Sequence, residues 1–448
     1  MYQDLRSFIA DLGSDVMRVG QALSPRHEIA AVMRAAPADG PALLFEKVAG
    51  HPGARVVANL IANRRRTARA LGTEPDCIAE TWLQRTRKGI APVASSEAPV
   101  KQVIHAGPID LPSLLPILTH YERDGGPFIT TGVVLCRDPA SGRRGMGIHR
   151  MMAKGGSRLG ILLANPPLSA FHTAAEAAGK PMEIAVALGV EPALQLAAVV
   201  KSPPNGPDKM DIAGALRTAP VELVRAETVD VEVPARAEIV IEGHVLPGVR
   251  EAEGPFGENT GSYFSNVSPV VEVTAVTHRR DFIYPGLCPW TADVDTLLSL
   301  AAGTELLGQL QAQMAGVRDL ELSPATAGFS AVIAVHKLRP CDVRRMLLLA
   351  FGFDRRLKIV TVVDADIDIR NPREVAWVLA TRFQPDRDTL ILPGMEGYVI
   401  DPSCGGAGTS ARLGLDATRG DGPEFDKITV PAAAAARAQA VLAELGLA

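Results

Sequence analysis

Between residues 127 and 278 the chain runs strand after strand with little helix between them. PFITTGVVLCR (127–137) is β-branched and apolar, and GMGIHRMMA (145–153) alternates beyond the turn Asp138-Pro139-Ala140-Ser141-Gly142. The two together predict a hairpin. RLGILLA, MEIAVALG, RAEIVIEGHV and SPVVEVTAVTHR add further strands, and helices are expected only near 167–179 and 191–200. A doubly wound parallel sheet needs a helix after nearly every strand. This pattern therefore predicts a barrel-like sheet.

The flanks read differently. Leu5, Ile9 and Leu12 predict an amphipathic first helix, and Ser24-Pro25 reads as the start of another. ALLFEKV (42–48) and ARVVANL (54–60) read as strands about the turn His51-Pro52-Gly53, and the run Arg64-Arg65-Arg66 as a solvated helix face. Residues 293–315 carry a long proline-free helical pattern that joins two regions. Beyond it strands (331–338, 358–364, 388–394) alternate with helices (341–350, 371–381) before an Ala-rich helical tail from Pro431. At 448 residues about three domains are expected. The division is an α/β unit over 1–110, a β unit over 111–292, a linking helix over 293–316 and a second α/β unit over 317–448.

Composition removes several function classes. Lys+Arg 46 against Asp+Glu 50 leaves a net charge of −4, without the basic face that phosphate backbones require. Aromatic residues are only 4%, too few for a base-stacking platform. The five cysteines form no CxxC pair, which excludes a zinc ribbon and leaves buried free thiols as the expectation. No apolar run approaches the ~18 residues of a membrane span, and the first residues lack a signal peptide's apolar core. A cytoplasmic protein with neither nucleic-acid nor membrane partner is expected.

Three segments could carry chemistry. Glu251-Ala252-Glu253-Gly254-Pro255-Phe256-Gly257-Glu258 places three carboxylates about a Gly-Pro turn. Two carboxylates near one site cannot both ionise freely, so one can donate a proton near neutrality; otherwise the segment is a polar hairpin loop. Gly145-Met146-Gly147-Ile148-His149-Arg150 ends in an arginine that, if inward, needs an anionic partner. The loop from Lys201 to Lys209 has the composition of an anion cradle or of an ordinary surface loop. Asp364, Asp366 and Asp368 read as loop-capping acids, and no dinucleotide fingerprint, Walker loop or HExxH motif is present.

Taken in order, SPRHEIAAVMR, ALLFEKVAG, Asp124-Gly125-Gly126, GIHRMM, IAGALRTAPVELV, EGPFGENTGSYF, DADIDIRNPREVAWVLATR and ARLGLDAT resemble the UbiD-like family of decarboxylases over most of the chain. The resemblance implies an N-terminal α/β domain, a split β-barrel like that of flavin reductases, a linking helix and a C-terminal α/β domain. It implies prenylated FMN, supplied by a separate flavin prenyltransferase, and reversible loss of carbon dioxide from an aromatic or α,β-unsaturated carboxylic acid. It also implies a homodimer or a multiple of one, expected to form through the C-terminal domain and its tail. The family's Glu-Arg-Glu set falls on Arg150, Glu253 and Glu258, with Glu258 the implied proton donor and Glu253 the arginine's partner. Gly147, Ile148, His149, Arg150, Lys201 and Lys209 are the implied cofactor-binding residues. The family's metal ligands, an Asn, a His and a Glu, fall on Gly145, on Pro167 or Leu168, and on Lys209. A divalent metal is therefore not expected, and Lys209, with Lys201, stands in as the positive charge toward the cofactor phosphate. The alternatives are a cofactor-free auxiliary subunit and an enzyme that uses another flavin.

Overall fold

The computed structural model describes residues 2–201, 206–336, 338–419 and 427–445. Residues 202–205 of the Lys201–Lys209 loop lie outside the described residues. The centre of the molecule is a nine-stranded sheet, antiparallel in every pairing. Its path runs Phe128–Ile129, Met151–Ala153, Arg158–Ile161, Tyr263–His278, Ile239–Gly257, Met182–Leu188, Val133–Arg137, Arg144–Ile148, with Val103–Ala106 pairing off the path onto Tyr263–His278.

The hydrogen-bonded ladder does not close, so the barrel expected from the strand count is an open, curled sheet. The expected hairpin of 127–137 with 145–153 also changes in detail. Val133–Arg137 pairs with Arg144–Ile148 at one end of the path, whereas Phe128–Ile129 pairs with Met151–Ala153 at the other. The same two chain segments thus serve both ends. Only His149 and Arg150 separate Ile148 from Met151, a gap of at most ~11 Å at the reach of an extended chain. The sheet must curl until its ends nearly meet, and Arg150 lies in that seam.

A four-stranded sheet of Val16–Leu23, Ala42–Val48, Arg55–Ala58 and Ile283–Pro285 forms the N-terminal layer. Its last strand comes from the end of the β-rich segment. Conversely, Val93–Ala94 pairs with Glu222–Arg225, and Val103–Ala106 joins the central sheet. The division at 110 therefore cuts across paired strands, because pairing is non-local and leaves no mark on local pattern, whereas no strand pairing crosses 292. The linking helix is Ala292–Gln313. Beyond it, a five-stranded sheet ordered Val317–Leu322, Ser330–Val335, Ile359–Asp364, Thr409–Ala417, Thr389–Glu396 is accompanied by the helices Pro340–Phe353 and Pro372–Thr381.

One apolar core runs from Leu5 and Phe8 through Val133, Ala185 and Val240 to Leu297 and Ala301, tying the first helix, the central sheet and the linking helix together. A separate core, including Leu306, Ile333, Leu347 and Val362, fills the C-terminal domain. Three local expectations are corrected. The second helix begins at Glu28 rather than beside Ser24. Arg66 is fully buried, donating to the Gly40 carbonyl at 2.7 Å, while Arg65 remains solvated. The cysteines are free, but Cys77 and Cys341 are exposed. No helix among the described residues is long and apolar enough to cross a membrane.

Candidate active site

Glu253 and Glu258 stand five residues apart, an odd spacing that a regular strand would split between its two faces. The segment read as a hairpin loop is instead strand as far as Gly257. Glu253 pairs with Asn266 and Phe256 with Phe264, three steps on one strand against two on the other. The extra residue is a bulge at Gly254-Pro255, where proline is tolerated in a strand. It reverses the alternation, so Glu253, Phe256 and Glu258 share one face. Beyond it the chain turns over, with Glu258 N–H donating to the Ser262 carbonyl at 2.9 Å and Gly261 N–H to the Glu258 carbonyl at 3.0 Å.

Arg150 reaches this face from the seam. Its Nε donates to Glu253 Oε1 at 2.9 Å and its Nη2 to Oε2 at 2.8 Å, a bidentate pair, while Nη1 donates to Glu258 Oε1. The side chains of Arg150 and Glu253 are 8% and 0% exposed, and that of Glu258 is 12% exposed, so water competes little for these bonds. The guanidinium lies 4.8 Å from the Phe256 ring and 5.2 Å from the Phe264 ring. Phe128 and Met152 back Phe256, with ring centroids of Phe128 and Phe256 4.4 Å apart. His120 stands edge-on to Phe256 at 6.1 Å; burial pushes its imidazole down to about 3, so it is neutral.

A second chain segment clamps the bulge. Asp124 accepts Gly257 N–H at 2.9 Å with one oxygen and the N–H groups of His120 and Tyr121 at 3.0 and 2.9 Å with the other. Gly125 N–H donates to the Pro255 carbonyl at 2.7 Å. A Cβ on Gly125 would fall 2.2 Å from the Gly254 oxygen, and one on Gly257 2.4 Å from the Tyr121 ring. Lys154 holds the strand from the other side through the Ala252 carbonyl. Sequence reasoning quoted Asp124-Gly125-Gly126 and Phe264 as motif letters without seeing these contacts, and Lys154 went unnoticed.

The remaining expected site residues form two groups. His149 Nδ1 donates to the Leu162 carbonyl at 2.8 Å, and burial lowers the imidazole to about 4, hence neutral. It lies within the electrostatic reach of Lys209. Gly147 packs against it, since a Cβ there would fall 2.9 Å from His149 Nε2, and Ile148 is half-buried. Lys209 is half-buried at the start of the helix Lys209–Arg217, its ammonium donating to the Ala198 carbonyl at 2.8 Å. Burial pulls it down to about 8. Lys201 points elsewhere: it pairs with Asp354 of the C-terminal domain at 3.0 Å.

Both ends of a flavin mononucleotide find suitable chemistry here. The ammonium of half-buried Lys209, with no carboxylate within 4 Å among the described residues, suits a phosphate, and the Arg150 cluster suits the reacting ring and a substrate carboxylate. A divalent ion at the family's usual ligand positions does not fit. A Cβ on Gly145 would meet Cys136 Sγ at 2.8 Å and the Phe171 ring at 2.9 Å, and Leu168 is buried hydrocarbon. No group of three or more His, Cys, Asp or Glu able to hold a metal occurs among the described residues.

Comparison with known proteins agrees along the whole chain. Residues 13–86, 91–292 and 295–417 match, in order, the N-terminal, Rift-related and C-terminal domains of 3-octaprenyl-4-hydroxybenzoate carboxy-lyase. The chain belongs to the UbiD family. It is 34% identical over 421 residues to anhydromevalonate phosphate decarboxylase of Methanothermobacter thermautotrophicus, covering 92% of this chain and 96% of the relative. It is 31% identical to gallate decarboxylase of Lactiplantibacillus plantarum, covering 82% and 79%. The UbiD-class enzyme HmfF from Pelotomaculum thermopropionicum, solved with FMN, superposes with a TM-score of 0.91 at 40% identity over 96% and 97% of the two chains. An evolved dimeric form of the same enzyme was solved with prFMN. The protein is thus a UbiD-like carboxy-lyase.

Proposed function

We propose that this UbiD-like enzyme catalyses reversible, non-oxidative decarboxylation of an aromatic or α,β-unsaturated carboxylic acid with prenylated FMN. The observation that carries the proposal is the buried Glu253–Arg150–Glu258 cluster. When bound, the cofactor supplies the electron sink for the electron pair that departing carbon dioxide leaves on the substrate.

The residues divide the remaining work. Glu253 occupies the Nε and Nη2 donors of Arg150 and fixes the plane of the guanidinium. The Nη1 edge, which Glu258 occupies in this structure, is left to receive the substrate carboxylate. An arriving carboxylate and an ionised Glu258 repel each other over that one edge, so substrate binding favours the protonated form of Glu258. Glu258 then stands as a neutral acid beside the carbon that loses carbon dioxide and delivers its proton there. Phe256, Phe264, Phe128 and Met152 form an apolar floor suited to a planar unsaturated acid. Lys209 supplies the charge toward the cofactor phosphate without a divalent ion.

The test is turnover by protein co-expressed with a flavin prenyltransferase, assayed on a panel of aromatic and α,β-unsaturated acids. Arg150→Ala and Glu258→Gln are each expected to lower kcat by about 10²–10⁴, the usual worth of a positioned acid, with unchanged circular dichroism. Glu253→Gln is expected to cost less, because a glutamine oxygen still accepts from Arg150. Turnover equal to wild type in either of the first two variants would remove their assignment.

A further inference from the structure

Trp290 holds a backbone conformation that a side chain of its size rarely takes. Its φ is 58°, in the left-handed region, and it is the bulkiest of the described non-glycine residues with positive φ. A bulky residue stays there only where its surroundings over-determine it. Here the neighbours do so. The Arg34 guanidinium, from the helix Glu28–Ala35, donates to the Trp290 carbonyl at 2.9 Å and lies 4.2 Å from the indole centroid. On either side, the Tyr121 hydroxyl donates to the Pro289 carbonyl at 2.6 Å and the Thr291 hydroxyl to the Cys288 carbonyl at 2.7 Å. The residue so held is 39% exposed, and its indole lies against Gly261, where a Cβ would fall 3.4 Å from two carbons of the six-membered ring. Gly261 in turn closes the turn that carries Glu258. Its N–H donates to the Glu258 carbonyl at 3.0 Å, and Glu258 N–H to the Ser262 carbonyl at 2.9 Å. The hairpin is therefore held in stages. Asp124 and Tyr121 clamp it at Gly257, Trp290 meets it at Gly261, and Arg123 N–H donates to the exposed Tyr263 hydroxyl at 3.1 Å beyond the turn. Glu253 lies in the paired strand before the first hold, and Glu258 lies between the first and the second.

We infer that Trp290 is a positioning residue for Glu258, fixing the turn 258–262 so that the carboxyl stays at the Nη1 edge of Arg150. The inference rests on the proposed role of Glu258 as proton donor. The two carboxylates on Arg150 then depend on different supports, and the kinetics divide accordingly. Removing the indole takes away the surface against which Gly261 rests, so the turn shifts while Gly257 remains clamped through its own N–H. A displacement of about 1 Å in a catalytic group is enough to cost about 10²-fold in rate. The substrate carboxylate, by contrast, meets an arginine whose plane is set by Glu253, so its binding is little changed. Arg34 stands on the N-terminal layer, which thereby takes part in placing the proton donor.

The experiment uses full-length Trp290→Ala, read in two ways. In the cofactor-free protein, hydrogen-exchange mass spectrometry is expected to show the amides of 258–262 exchanging several-fold faster than in wild type, with 239–253 unchanged. In protein co-expressed with a flavin prenyltransferase, assayed on the panel acid that wild type turns over fastest, kcat is expected to fall by about 10- to 100-fold with KM near wild type. The solvent deuterium isotope effect on kcat is expected to rise, because proton delivery now limits turnover. Trp290→Phe, which keeps a ring against Gly261, is expected to restore most of kcat. Trp290→Gly suits the left-handed backbone and serves as the second variant should Trp290→Ala fold poorly, with the same outcomes expected. Wild-type kcat and wild-type exchange at 258–262 without the indole, beside an inactive Glu258→Gln, would overturn the role of Trp290 alone. A raised KM at unchanged kcat would make the indole a substrate contact and overturn it as well. Full turnover in Glu258→Gln, or no turnover of any panel acid by wild type, would instead remove the reading on which the inference rests.

Discussion

Lys209 shows how a single residue records the purpose of a site. A half-buried lysine with one carbonyl partner is a poor choice for stability, since desolvation disfavours its charged form. Its value falls from 10.5 to about 8 on folding, so the unfolded chain binds more protons between those values. Folding is thus penalised below pH 8, and the penalty fades as pH rises from 8 toward 10.5. Lys209→Met is expected to stabilise the cofactor-free protein by about 2 kcal/mol near pH 7, after the lost hydrogen bond to Ala198 is allowed for, with little gain near pH 10. Thermal unfolding at the two pH values checks this; equal stability at both would mean that the ammonium is adequately solvated. At this scale the sequence was informative about identity and weaker about contact. Arg150, Glu253 and Glu258 could be named from the motif, and the structure brings them together. Lys201 and Lys209, eight residues apart, looked like one cradle, yet Lys201 turns to Asp354 across the domain junction. Nothing local to Lys201 announces a partner 153 residues away.

Among elements, the strand Ile239–Gly257 and its bulge do the most for the site. The charged, Gly- and Pro-containing run Arg250–Glu258 has no strand alternation, so its sequence reads as a Gly-Pro turn or a polar loop where the structure has a bulged strand. The direction of the error is instructive: the same residues that break a regular strand also correct its parity, placing Glu253 and Glu258 on one face. The clamp from 120–126 holds that geometry, and it depends on two backbones in near contact. Gly125→Ala, whose Cβ would fall 2.2 Å from the Gly254 oxygen, is expected to cost about 1–3 kcal/mol and to lower kcat as the Glu253 strand shifts. Chemical denaturation with a turnover assay checks both effects, and a variant with wild-type stability would show that the two segments can part freely. Long elements with strong patterns were legible. The linking helix read at 293–315 is Ala292–Gln313, and the strand read at 358–364 is Ile359–Asp364. The strand Val16–Leu23 was missed because its side chains are exposed or half-buried without alternation, which leaves no period of two to detect.

For the whole molecule, three successive textures in the sequence correspond to three main sheets, with a small fourth of Val93–Ala94, Glu222–Arg225 and Glu232–Pro234, and the chain weaves between them. Strands from 93–106 and 283–285 cross over to join neighbouring layers, so the layers share a core and resist separation. The tail is the exception. In the helix Ala432–Glu444 no residue is buried: Val441 and Leu442 near its end are each 37% exposed, and Leu445 just beyond it is 65% exposed. An apolar helix end left uncovered among the described residues is where the homodimer implied by the family resemblance would bring a second copy. Light scattering is expected to give a dimer or a multiple of one at micromolar concentration, and a chain shortened at Pro431 a weaker assembly. A monomer at that concentration would remove the tail from the account.

A carboxy-lyase whose flavin phosphate meets a lysine in place of a metal should carry its cofactor without a stoichiometric ion, and a single preparation reports both. Protein co-expressed with a flavin prenyltransferase and purified without added metal is examined by visible absorption, mass spectrometry and elemental analysis. The account predicts prenylated FMN at close to one per chain, with manganese and magnesium far below that ratio. A preparation that carries no flavin and takes up none under reducing, anaerobic conditions would contradict it, as would one tightly held divalent ion per chain.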